Sequence, residues 1–182
     1  MMALGMQLIL VTGQRPGEVF GMRRADVDDE KTWWNLPRTM TKNQNSHRIS
    51  LTPTVKAIIE AAIEAGPEDH AYVFAGDSGA SVSARAKKAA AQLATWKPLG
   101  FTFHRHDLRR SAATGMAEAG VSRDTISKVL NHVDRGPRST RVYDVYAYDA
   151  EKQVALEVWE RRVLGILAEK DDAKILPMRK RA

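Results

Sequence analysis

No cysteine occurs among the 182 residues, which excludes disulfides and thiolate metal sites and fits a reducing cytoplasm. Long hydrophobic runs are missing as well. The longest, Leu8 to Val11 with its neighbours, is far too short to span a bilayer, and Met1 to Thr12 lacks the charged start and small-residue cleavage site of a signal peptide. Neither a Gly-rich phosphate loop with its lysine nor a cluster of carboxylates for a metal is present, so no cofactor is expected. What the chain does have is an excess of positive charge. Lys and Arg number 28 against 22 Asp and Glu, a net +6, which favours an anionic partner. The hydrophobic share of 43% and charged share of 27% are those of an ordinary globular chain, long enough for one domain around one core.

The chain opens inside an apolar helical pattern, Met2 to Leu10, with no polar lead-in, as if its upstream part were missing. Thr12-Gly13 breaks the run, and Pro16 suits the first turn of a short helix from Pro16 to Met22. Trp33 to Leu36 and Arg48 to Leu51 read as strands of a hairpin whose long tip, Thr39 to Ser46, carries lysine and asparagine. Helical patterns follow at Pro53 to Ala65, Ser83 to Thr95, Arg105 to Ala119 and Ser122 to Leu130, the last starting from a Ser or Asp cap. A turn-rich segment, Asn131 to Thr140, leads to a long amphipathic helix, Tyr148 to Ala168, with Ala155, Trp159, Val163 and Ile166 on one stripe. The tail from Glu169 mixes charges without periodicity and is read as an extension. The expected class is mainly α with a small antiparallel β-sheet (α+β), with no repeat and no second domain.

Three clusters carry chemistry. In Thr12-Gly13-Gln14-Arg15-Pro16-Gly17-Glu18 a loop turns into a helix at Arg15. Arg15 and Glu18 make a surface ion pair on the plain reading. An arginine gains little from a helix start, however, unless a phosphate is meant to sit between it and the helix amides. In His104-Arg105-His106-Asp107-Leu108-Arg109-Arg110, the three-residue spacing puts His106 and Arg109 on one helix face, while Arg105 and Arg110 read as solvated. His104 and His106 look like paired metal ligands, but no third or fourth ligand stands at a usual spacing. The third cluster runs Val129-Leu130-Asn131-His132 and then Arg141-Val142-Tyr143-Asp144-Val145-Tyr146. There His132 can be a simple cap, and tyrosines beside valines can be core.

The order Thr-Gly-x-Arg-x-x-Glu, a hairpin lysine, His-x-x-Arg, Leu-Asn-His and Val-Tyr resembles the tyrosine recombinase (phage integrase) family. Prophage-type integrases are the nearest pattern, sharing the Leu-Asn-His, a second tyrosine, then Glu-Lys and a tryptophan (Tyr143, Tyr148, Glu151-Lys152, Trp159). The resemblance implies the catalytic-domain fold over residues 1–168 with a clipped first helix, and 169–182 as a C-terminal extension. The N-terminal core-binding and arm-binding domains would lie outside this chain. It also implies the roles. Arg15 and Arg109 are the catalytic arginines, Lys42 the hairpin lysine, His106 the partner of Arg109, His132 the last activating histidine and Tyr143 the nucleophile. Tyr146 and Tyr148 compete with Tyr143, and Arg48 and Lys31 with Lys42.

The implied activity is site-specific DNA recombination, inserting or excising a mobile element through a 3′-phosphotyrosine, without metal or nucleotide. A type IB topoisomerase would use the same tyrosine chemistry, and a DNA-binding remnant would keep the fold without strand exchange. The implied partner is double-stranded DNA, with a homo-tetramer assembling on it through the C-terminal helix from free monomers. An accessory DNA-bending protein or directionality factor is a further partner of such enzymes. The expected location is the bacterial cytoplasm, on the nucleoid when bound.

Overall fold

The eleven residues MALGMQLILVT carry no charge, and apart from the edge with Ala3 and Gln7, which is exposed, a helix made of them must be covered by protein. In a computed structural model that describes residues 1–75, 103–132 and 147–172, they form helix α1 (Met2–Thr12) at the centre of the molecule. Around and after it come α2 (Pro16–Phe20), a 3-10 turn (Arg24–Asp26), β1 (Trp33–Leu36), β2 (His47–Ser50), α3 (Pro53–Glu64), α4 (Arg105–Glu118), α5 (Arg123–Val129) and α6 (Asp149–Asp172). Helices α2, α3, α4 and α6 all pack on α1. The architecture is mainly helical with a two-stranded antiparallel sheet, as the sequence led one to expect. The expected helix from Ser83 to Thr95, and Tyr143 and Tyr146, lie outside the described residues.

Helix α1 ends because Gly13 takes a left-handed φ of 67° and turns its N–H back to Ile9 O at 2.9 Å. A side chain there would also meet Leu130. One of the carbonyls left open at that helix end, Leu10 O, accepts from Trp159 Nε1 of α6 at 2.9 Å. The sheet pairs Trp34 with Ile49 and Leu36 with His47 on its buried face. On the other face Arg48 lies 4.5 Å over the Trp33 ring and reaches Asp149 at the start of α6 at 2.9 Å. Strand β2 begins at His47, one residue ahead of the sequence expectation, because His47 is drawn into the core.

Helix α3 starts at Pro53 without a cap from Thr52. The open amide of Thr54 instead donates to the carboxylate of Glu160 on α6, at 2.6 Å. Glu160 is buried for that purpose, 106 residues away in sequence. Helix α5 uses Ser122, not Asp124, as its cap, accepting from Thr125 N at 3.1 Å. Helices α4 and α6 cross at Gly115, where any Cβ would run into the Trp159 ring.

On α6, Ala155, Leu156 and Trp159 belong to the core, Val163 is half-buried and Ile166 is exposed. The expected stripe therefore packs on its own chain in its first half only. Val154, Leu164 and Leu167 are exposed as well. The helix runs past Ala168 to Asp172, into the stretch read as an extension. Among the described residues no helix is long and apolar enough to cross a membrane.

Candidate active site

The end of α5 is where the sequence clusters meet. Leu130 closes the helix, and Asn131 follows in the left-handed region with φ 48°. Asn131 N then donates to Lys128 O and His132 N to Ser127 O. This paired closure needs a residue that tolerates positive φ, and asparagine is the common substitute for glycine there. The Asn in Leu-Asn-His is thus explained by backbone geometry. The turn presents His132, exposed, at its far side.

A helix end also leaves carbonyls that point outward and attract positive donors. Three successive carbonyls here are taken by groups from four other parts of the chain. Val129 O accepts from Gln14 Nε2 at 2.9 Å and from His47 Nε2 at 3.0 Å. Leu130 O accepts from Arg109 NH2 at 2.6 Å, and Arg109 NH1 bonds Gly13 O at 2.7 Å. Asn131 O accepts from Arg15 NH2 at 3.2 Å and from Asn43 Nδ2 at 3.2 Å. Backbone oxygens thus hold both guanidinium groups against the turn that carries His132. Two of the five N–H donors of Arg109 are used in this way, which fixes its plane and leaves donors for a ligand.

Such closeness of like charge has visible electrostatic effects. Burial, then the neighbouring Arg15, hold the Arg109 guanidinium down to about 10, still charged at neutral pH. Glu18 works against that shift. It is 3% exposed, bonds Arg15 NH1 at 2.8 Å and accepts Arg15 N at 3.0 Å, so the pair read as a surface ion pair is in fact half inside. Partial burial, then Arg109 and Arg15, lower the pKa of His132. His106 is lowered by burial, then Arg109, Arg110 and Arg105, with Arg15 a smaller cause. Both imidazoles are therefore biased towards the neutral form near pH 7.

Arg15, His106, Arg109 and His132 thus sit within one another's field. His106 rides the first turn of α4, whose open His104 N–H is capped by Asp107 at 2.7 Å. Arg110 pairs with Asp107 at 3.0 Å on the exposed side, as its solvated reading implied. Among the described residues no group of three or more His, Cys, Asp or Glu gathers as a metal site would require. Lys42 is exposed, one residue from the Asn43 that bonds the His132 turn. Of its competitors, Arg48 is engaged with Trp33, Asn35 and Asp149, and Lys31 pairs with Glu60 at 3.4 Å. Tyr148 precedes α6, with Lys128 Nζ 4.2 Å from its ring centre. Tyr143 lies outside the described residues.

Sequence reasoning missed Gln14, His47 and Asn43. Gln14 and His47 are buried polar groups whose partners lie 115 and 82 residues away, so no local pattern announces them. Burial, with Lys152 adding, pushes the His47 imidazole down to about 4. It is neutral, and it donates its Nε2 proton to the Val129 carbonyl.

Known proteins resemble this chain in sequence and in fold. The family model described as Phage integrase family matches residues 2–148. Prophage integrase IntA of Escherichia coli K12 is 26% identical over 162 residues, covering 84% of this chain and 36% of that protein. Tyrosine recombinase XerC of Stutzerimonas stutzeri is 27% identical over 142 residues, covering 76% and 46%. The chain thus spans less than half the length of either relative.

Among solved structures, the integrase from mycobacterium phage Brujita superposes with TM-score 0.64 at 19% identity over 87% of this chain and 51% of its own. The lambda integrase catalytic core gives 0.52 at 23% over 75% and 83%. The Tn1549 transposon integrase, solved with circular intermediate DNA, gives 0.51 at 14% over 84% and 55%. At these identities the structures establish likeness of fold, and the family match decides membership. The chain belongs to the phage integrase family of tyrosine recombinases.

Proposed function

We propose that this chain is the catalytic domain of a site-specific DNA recombinase that integrates or excises a mobile element. The observation that carries the reading is the pair of arginines, Arg15 and Arg109, bonded to successive carbonyls of the turn that presents His132. Cations fixed before substrate arrives need no reorganisation when charge develops on a phosphate, and that is where electrostatic catalysis is strongest. The excess of lysine and arginine suits a DNA backbone.

In the proposed reaction the Tyr143 oxygen attacks a DNA phosphorus. The two arginine forks and a proton of His132 hold the non-bridging oxygens. The P–O5′ bond breaks, a 3′-phosphotyrosine forms, and Lys42 gives its proton to the departing 5′-oxygen. His106, held neutral, is suited to accept or hold the tyrosine proton. Attack by the 5′-hydroxyl of a second strand reverses these steps and rejoins the DNA. The uncovered end of α6, with Leu164, Ile166 and Leu167 exposed, would dock on a neighbouring protomer in a DNA-bound tetramer.

The test uses nicked duplexes from the ends of the element that carries the gene. Denaturing electrophoresis should show a covalent adduct on the 3′ end of the fragment upstream of the cut, the downstream fragment keeping a free 5′-hydroxyl. Tyr143→Phe should abolish it, whereas Tyr146→Phe and Tyr148→Phe should not. Arg109→Gln should slow adduct formation by about a hundredfold or more, the usual cost of one preorganised charge contact. An adduct that survives Tyr143→Phe would overturn the assignment.

A further inference from the structure

The hairpin tip and the His132 turn are joined by more than the carbonyl contact. Asn43 Nδ2 donates to Asn131 Oδ1 at 2.9 Å, and Asn131 Nδ2 returns a bond to Asn43 Oδ1 at 3.3 Å. Two primary amides facing each other satisfy a donor and an acceptor on each side at once, a geometry with one good register. With the 3.2 Å bond from Asn43 to Asn131 O, the contact is three hydrogen bonds between single residues 88 apart.

The tip is pre-shaped for it. The Thr41 hydroxyl lies 2.7 Å from Asn45 O, Asn45 N reaches Asn43 Oδ1 at 3.3 Å, and Gln44 takes a φ of 56°. At the base of the same hairpin, His47 is bound to Val129 O. The loop is therefore held to α5 at Asn43, directly after Lys42, and again at His47. Neither asparagine is needed for core packing, since both are only half-buried. Asn131 alone has a backbone reason to be there, and that reason does not require its amide to point at Asn43.

We propose that Asn43 is a positioning residue. Its amide pair with Asn131 latches the Lys42 loop onto the His132 turn, so that the proton donor and the phosphate-binding cluster are set at a fixed distance before DNA binds. The inference rests on the recombinase reading for the role of Lys42, but the latch itself does not. Asn43 touches no reacting atom and acts only through its neighbour.

Two arms of one experiment test it. In the first, amide hydrogen exchange is followed on the full chain for wild type, Asn43→Ala and Asn131→Gly, the last keeping the left-handed turn while removing the amide. Exchange over residues 40–46 should quicken about three- to tenfold in both variants, the loss expected for one or two ordinary hydrogen bonds, with thermal midpoints close to wild type. Unchanged exchange over 40–46 overturns the latch.

In the second arm, nicked attachment-site DNA is compared with the same duplex bearing sulfur in place of the bridging 5′-oxygen. A thiolate leaves without a proton, so a defect in proton delivery is bypassed. Asn43→Ala should cleave the ordinary DNA about tenfold more slowly and the sulfur-bridged DNA at the wild-type rate. Equal slowing on both substrates, or on neither, overturns the positioning role. A wild-type chain that forms no adduct with either DNA sinks the recombinase reading instead, and the exchange data still decide the latch.

Discussion

His47 shows how much a single residue can contribute without touching substrate. Its imidazole is neutral and buried, with Lys152, Arg109 and Arg15 all adding positive potential. Its folded pKa of about 4 lies below the usual 6.5, so between those values the unfolded chain binds the extra proton. Stability attributable to His47 is complete above about pH 6.5 and is lost as pH falls towards 4. It amounts to roughly 3 kcal/mol by linkage. Thermal midpoints measured from pH 7 to 4.5 should fall, and His47→Gln, whose amide can still donate to Val129 O, should fall less steeply. Parallel curves for the two proteins would assign the acid sensitivity to other groups. Sequence reading had no access to this residue. A histidine at the start of a strand looks like any other until the carbonyl of residue 129 is brought beside it.

At the scale of elements, the helices were legible because their punctuation is local. Gly13, Pro16, Pro53 and Ser122 mark boundaries that the structure moves by only a residue or two. What local chemistry could not reveal is the cap of α3, which comes from Glu160 on another helix. Replacing Glu160 by alanine removes a buried acceptor and leaves the Thr54 amide open. The expected cost is about 1–3 kcal/mol, with exchange quickening most in the first turn of α3. Uniform quickening along the chain would mean that Glu160 serves global packing and not the cap. The stripe on α6 was legible in position but only half in meaning: Ala155 and Trp159 are covered and Ile166 is not. Periodicity records that one face is apolar, and not how far along the helix the neighbouring elements reach.

For the whole molecule, the order of motifs along the chain carried the fold class and the family. The same order left open which groups hold the site together. Arg15 and Arg109 were legible as charges aimed at phosphate, yet nothing local revealed that carbonyls 130 and 131 anchor them. The division of α6 has a consequence for assembly. A chain ended after Val163 keeps Leu156 and Trp159 in the core and loses the exposed Leu164, Ile166 and Leu167. Its thermal midpoint should stay within a few degrees of the full chain, while higher complexes on DNA in native gels are lost. If those complexes persist, protomers meet through another surface.

The carbonyl cluster at the end of α5 also sets a schedule. Four of its bonds close loops of 82, 88, 115 and 116 residues. Long loops are slow to close, and contacts of this kind form after local helices. As the chain emerges from the ribosome, α1 to α3 can settle well before residues 129–131 exist. Until those carbonyls arrive, the Arg15 guanidinium is held by Glu18 alone and that of Arg109 by Gly13 O alone, and the protein is basic without a complete site. Under the proposed function, the site that cuts DNA would then be complete only once residues 129–131 have joined it.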